Sequence, residues 1–128
     1  MLETETAMTI ASDDVSTLSL PQQEAFGLTE AAIQLDQARN SAERSMDLAA
    51  ALDYNLEIWV AIRALAQSEN SALPQPIRDN LMKLSDFVAQ TTFSGGPAIA
   101  DKSLDTLINI NLQLAEGLLE GQKAVPAV

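Results

Sequence analysis

Residues 51–59 read Ala51-Leu52-Asp53-Tyr54-Asn55-Leu56-Glu57-Ile58-Trp59 and hold the only Tyr and the only Trp of the chain. At about 3.6 residues per helical turn, Leu52, Asn55, Trp59 and Ile62 fall on one face. A carboxamide thus stands inside a stripe of apolar side chains. A buried amide needs hydrogen-bond partners, since an orphaned one costs about 1–3 kcal/mol. Asn55 is therefore either a pin between helices or a group that reads another backbone. Trp59 is either core or an anchor at a binding groove, where Trp is enriched.

The same helical period extends in both directions. A helix is expected from about Ala42 to Gln67, with Met46, Ala49, Leu52, Trp59, Ile62 and Leu65 on its core face. Its like-charge pairs, Glu43 with Asp47 and Asp53 with Glu57, call for cations on a neighbouring helix. Arg78 is a candidate partner for Asp53 or Glu57. An earlier helix is expected from about Pro21 to Arg39, with Ser19 as its cap and Phe26, Ile33, Ala25, Ala32 and Leu35 inward. Leu73-Pro74-Gln75-Pro76 opens a third helix, whose Ile77, Leu81, Leu84 and Val88 form an amphipathic stripe. That helix is expected to stop by Thr92, before the loop Ser94-Gly95-Gly96-Pro97. The fourth starts near Ser103 and places Leu107, Asn111, Leu114 and Leu118 on one face, again with an Asn inside an apolar stripe. Gly121 is expected to end it as the C′ residue. The fold expected is all-α: a small bundle of about four helices spanning residues 20–121. Residues 1–19 read as a mobile acidic tail, and residues 122–128 as a frayed C-terminus.

Composition narrows the chemistry. Seven Lys and Arg face 18 Asp and Glu, a net charge of −11. Such a chain repels phosphate backbones and anionic membranes, so direct nucleic-acid or membrane binding is not expected. It suits a basic or amphipathic protein partner. Cys and His are both absent, which excludes thiolate nucleophiles, Ser-His-Asp triads and the usual zinc sites. Paired carboxylates could still do acid–base work, but most alternate with the apolar stripes and read as a hydrated face. Gly95-Gly96 lacks the Lys and the spacing of a phosphate loop. No cofactor and no metal are expected. No apolar run approaches the roughly 20 residues of a membrane span. The first ten residues lack the basic start and apolar run of a secretion signal, so a cytoplasmic location is expected.

Three blocks stand in order at definite spacings. Ala51-Leu52-Asp53-Tyr54-Asn55 with Ile58-Trp59 fits A-L-D-[WY]-N-x-x-x-W. Asn70, Leu73-Pro74 and Ile77-Arg78 fit N-x-x-L-P-x-x-[IL]-R. Leu107-Ile108-Asn109-Ile110-Asn111 through Gly117-Leu118 fits L-I-x-x-N-x-x-x-x-x-G-L. With these blocks the chain resembles the FlaF family of flagellar biosynthesis regulators over residues 20–121. Pro21-Gln22-Gln23-Glu24-Ala25 is similar to the segment that opens the family's first helix, although Gln22 stands where a basic residue is usual. Ala64-Leu65-Ala66-Gln67 lacks an acidic residue usual before the loop, and the acidic tail is longer than usual.

The resemblance implies a small cytoplasmic helical protein without catalysis or cofactor. It implies a positive factor in flagellin production and export that binds flagellin and works beside FlbT, a regulator acting on flagellin mRNA. Partner binding or fold definition then falls on Asp53, Tyr54, Asn55, Trp59, Leu73, Pro74, Arg78 and Asn111. The alternative function is post-transcriptional, acting on flagellin mRNA directly or through FlbT. An enzyme using paired carboxylates is a third reading.

Overall fold

The computed structural model describes residues 20–69 and 73–120. The expected acidic tail, the motif residue Asn70, the terminator Gly121 and the frayed C-terminus lie outside these. Four α-helices make up the described chain: α1 Leu20–Arg39, α2 Arg44–Gln67, α3 Gln75–Gly95 and α4 Asp101–Glu120. A 3-10 turn, Gly96–Ala98, joins α3 to α4. No strand occurs among the described residues, so the fold is an all-α bundle.

Each helix packs antiparallel on its neighbour. α1 lies between α4 and α2, and α2 lies between α1 and α3. α3 and α4 follow each other in sequence but form no helix pair. The 3-10 turn instead carries the chain across α2, and Ile99 beyond it is buried. The core runs through Leu28, Leu35, Leu48, Leu52, Trp59, Ile62, Leu81, Val88, Leu104 and Leu107.

On α2 the buried stripe is Leu48, Leu52, Asn55, Trp59, Ile62 and Ala66, with Ala51 beside it. Its alternating steps of four and three track one helix face. Met46, expected inward, is exposed, because two residues before Leu48 is more than half a turn away from that face. Ile33, also expected inward, is exposed as well. It lies one residue beyond Ala32, outside the Ala25, Leu28, Ala32, Leu35 stripe of α1. Much of the inward face of α1 is small: Ala25, Gly27, Ala31, Ala32 and Ala38. At Gly27 a Cβ would come 2.8 Å from Ile58 Cδ1, so its absence lets α1 and α2 approach closely.

Helix ends are held by side chains. Asn40 Nδ2 donates to the Asp36 carbonyl at 3.0 Å, and Arg44 Nε donates to the Arg39 carbonyl at 3.2 Å. Both satisfy carbonyls that the last turn of α1 leaves open. α3 starts on Pro74, whose extended backbone (ψ 152) presents its carbonyl to the Ile77 and Arg78 amides. α3 runs three residues past the expected stop at Thr92. Its Thr residues do not break it, since Thr92 Oγ1 donates back to the Val88 carbonyl at 2.7 Å.

The end of α3 comes instead at Gly96, with φ +55 and ψ −152. A side chain is strained there. Gly96→Ala is expected to lower stability by about 1–3 kcal/mol, read as a lower urea midpoint with unchanged m-value.

The cations expected to relieve the acidic pairs of α2 are used elsewhere. Arg39 bridges Asp36 and Asp105, Arg44 bridges Asp101, and Arg63 bridges Asp86. Asp47 is met by the Ser41 hydroxyl, which donates to it. These exposed ion pairs fix the register of α1 on α4 and of α2 on α3 more than they add stability, typically under about 1 kcal/mol each.

Candidate protein-docking site

The block 51–59 divides by side. Ala51, Leu52, Asn55 and Trp59 turn inward, Tyr54 is half-buried, and Asp53 and Glu57 face solvent.

The inward half forms one polar knot inside the core. Trp59 Nε1 donates to Asn111 Oδ1 at 2.9 Å. Asn111 Nδ2 donates to Asn55 Oδ1 at 2.7 Å and to the Leu28 carbonyl at 3.2 Å. The orientation of each amide follows from its partners. An indole N–H can only donate and a carbonyl can only accept, so Asn111 can point only one way. Its NH2 then requires the oxygen of Asn55. Asn55 Nδ2 is left buried without a partner. On α3, the buried Ser85 donates to the Trp59 carbonyl at 3.3 Å. Side chains or carbonyls of all four helices thus meet at one level. Asn55, Trp59 and Asn111 are each no more than 1% exposed. In this structure they are placed as pins between helices, with no surface to offer a partner.

Arg78 does not meet Asp53 or Glu57. Its Nε donates to the Ala66 carbonyl at 2.7 Å and its Nη2 to the Ser68 carbonyl at 3.0 Å. It therefore caps the C-terminal end of α2, where a cation also suits the helix dipole. The earlier expectation failed because Arg78 sits in the first turn of α3. In an antiparallel pair that turn lies beside the last turn of α2, three turns from Asp53. Leu73 packs, half-buried, against the core, and Pro74 is exposed as the residue before α3. The Leu-Pro-x-x-Ile-Arg block thus builds the α2–α3 corner.

The outward half is open. Asp53, Leu56, Glu57 and Val60 line a shallow depression of about 350 Å³. Leu56 and Val60 were not singled out from the sequence. The signal available was the spacing of Val60 from Met46, two heptads apart on one face. Beside the depression, burial raises the pKa of the Tyr54 phenol, and the carboxylates of Glu30 and Glu57 raise it further. The phenol stays neutral and can donate a hydrogen bond. At the start of α1, burial raises the pKa of Glu24 above the ordinary 4.5.

A carboxylate of raised pKa weakens the fold as it ionises, because the native state binds its proton more tightly than the unfolded chain does. The Glu24 penalty is absent below pH 4.5 and complete above the raised value. Glu24→Gln is therefore expected to raise the melting temperature at pH 7 and to leave it unchanged below pH 4.5. Thermal melts at the two pH values check this.

Among the described residues no group of three or more Asp or Glu side chains converges to hold a metal ion. No described helix is long and apolar enough to cross a membrane. The arrangement is an acidic, partly apolar outer face on a pinned bundle. No curated protein and no solved structure matches the chain. A family model described as flagellar protein FlaF matches residues 10–118. The match takes in the amide–indole knot, the Arg78 cap and the acidic depression together, and the chain belongs to the FlaF family of flagellar proteins.

Proposed function

We propose that the protein is a non-enzymatic factor of flagellar biosynthesis. It binds flagellin in the cytoplasm as a chaperone or adaptor and promotes flagellin production and export, alongside FlbT. One observation carries the reading beyond family membership. The central block of the family pattern turns its amide and indole inward but keeps two carboxylates outward, beside Leu56 and Val60. An acidic, partly apolar helix face suits capture of an amphipathic helix, such as the terminal helices of an unassembled flagellin subunit. The net charge of −11 supports a protein partner over RNA.

The test is co-purification of the full chain with flagellin, followed by titration of the purified pair. A complex at micromolar concentration supports the reading, and no complex sinks it. Tight, salt-sensitive binding to flagellin mRNA in a filter assay would favour the post-transcriptional alternative instead. Trp59 fluorescence is a poor reporter of docking, because the indole is enclosed. A label on the outer face of α2 is the better choice.

A further inference from the structure

Among the described residues, the three most exposed large apolar side chains are Phe93 (74%), Met46 (64%) and Val60 (62%), while the other four lie between 42% and 46%. All three belong to one side of the molecule. Met46 and Val60 are fourteen residues apart on α2 and nearly in phase, on the outer side of the helix away from the buried Leu48, Asn55 and Trp59 stripe. Asp86 and Phe93 are seven apart on α3 and share a face. Asp86 reaches across to Arg63 of α2, so that face is the flank of α3 beside α2. The antiparallel pairing of Trp59 with Ser85 and of Arg63 with Asp86 sets Phe93 opposite the turn that leads to Leu56. Ala49 and Ala64 also lie on the outer side of α2, so a partner backbone can come close there. The apolar strip is interrupted only by Asp53 and Glu57, and neither is ion-paired among the described residues. Arg39, Arg44 and Arg63 are committed to other acids and Arg78 to backbone carbonyls.

We infer that the outer face of α2, edged by Phe93, docks a single amphipathic helix of another protein. The apolar stripe of that helix lies along Met46, Leu56, Val60 and Phe93, and its Lys or Arg residues meet Asp53 and Glu57. Two other occupants are disfavoured by charge. A second copy in an isologous contact brings Asp53 and Glu57 against the same acidic face, on chains of −11 each. The chain's own residues 1–19 carry Glu3, Glu5, Asp13 and Asp14 and no Lys or Arg. The inference deepens the proposed function and rests on it where the docked helix is taken to be flagellin's.

The experiment measures binding of the full chain to two ligands, purified flagellin and a labelled Leu/Lys amphipathic helical peptide, with a Leu/Glu peptide as the opposite-charge probe. The face variants are Asp53→Lys/Glu57→Lys and Val60→Ser/Phe93→Ser. Controls of equal chemistry elsewhere are Glu116→Lys/Glu120→Lys and Ile33→Ser/Leu112→Ser. Thermal melts establish that each variant is folded. The expected result is binding of the Leu/Lys peptide and not the Leu/Glu peptide, weakened at least tenfold by each face variant and less than threefold by each control. The same pattern is expected for flagellin. Peptide or flagellin binding that survives both face variants, or falls equally in the controls, overturns the docking face. If flagellin does not bind while the peptide pattern holds, the flagellin reading falls and the face stands.

Discussion

Asn111→Leu is expected to remove about 2–5 kcal/mol of stability. Leucine matches asparagine in bulk closely enough that no large cavity opens. The loss comes from two newly orphaned groups, the Trp59 N–H and the Asn55 carbonyl oxygen, both sealed from water. Each costs about 1–3 kcal/mol. Against a domain stability of about 5–15 kcal/mol, the change takes a large share. Asn55→Leu is expected to cost far less, about 1 kcal/mol or under. It leaves Asn111 bonded to both Trp59 and Leu28, and it removes the amide nitrogen that already lacks a partner. The double substitution leaves only the indole orphaned, so it should be less harmful than Asn111→Leu alone. Urea unfolding of the three variants checks the order. Equal losses from the two single changes would show that the two amides share their partners differently.

Arg78→Met is expected to cost about 2 kcal/mol and to loosen the end of α2 locally. The methionine keeps much of the aliphatic stem, so the change isolates the guanidinium. That group supplies two donors in a fixed fork, one to Ala66 and one to Ser68. Hydrogen bonds to charged groups contribute about 1.5–3 kcal/mol each, discounted here because Arg78 is only partly buried. Arg78→Lys is expected to recover less than half, because an ammonium on a flexible stem does not reproduce the fork. Hydrogen exchange should show faster amides in the last turn of α2, with the Asn55–Trp59 turns unaffected in Arg78→Met. Uniform acceleration through all four helices would mean that Arg78 supports the whole fold and not one corner.

The helices were largely legible in the residues, and the knot only in part. Four apolar periodicities separated by Asn/Ser, Pro and Gly breaks gave the element order. Two asparagines inside apolar stripes signalled buried amides in need of partners, but not that they bond to each other and to Trp59. Phase was less legible where small and large apolar residues mix. Met46 and Ile33 look like core by type, and only the three–four spacing of their neighbours shows that they lie off the stripe. The role of Arg78 was hidden because backbone carbonyls carry no side-chain signature. Any Arg one turn into a helix reads first as a partner for carboxylates. The depression at Asp53, Leu56, Glu57 and Val60 was hidden for another reason. A surface face is defined by what fails to pack on it, and pairing of α1 and α3 on either side of α2 is a tertiary fact.

The separation of α3 from α4 also dictates an order of assembly. α1, α2 and α3 form successive hairpins from near neighbours in sequence. α4 closes contacts across 52, 66 and 83 residues, to Trp59, Arg39 and Leu28. Contacts of such span form late, and a chain leaving the ribosome presents its N-terminal hairpins first. Until the segment around Asn111 arrives, the Trp59 indole and the Asn55 amide have only water to bond. A chain cut short before α4 therefore has its first three helices but lacks Asn111, which bonds the Trp59 indole and the Asn55 amide together.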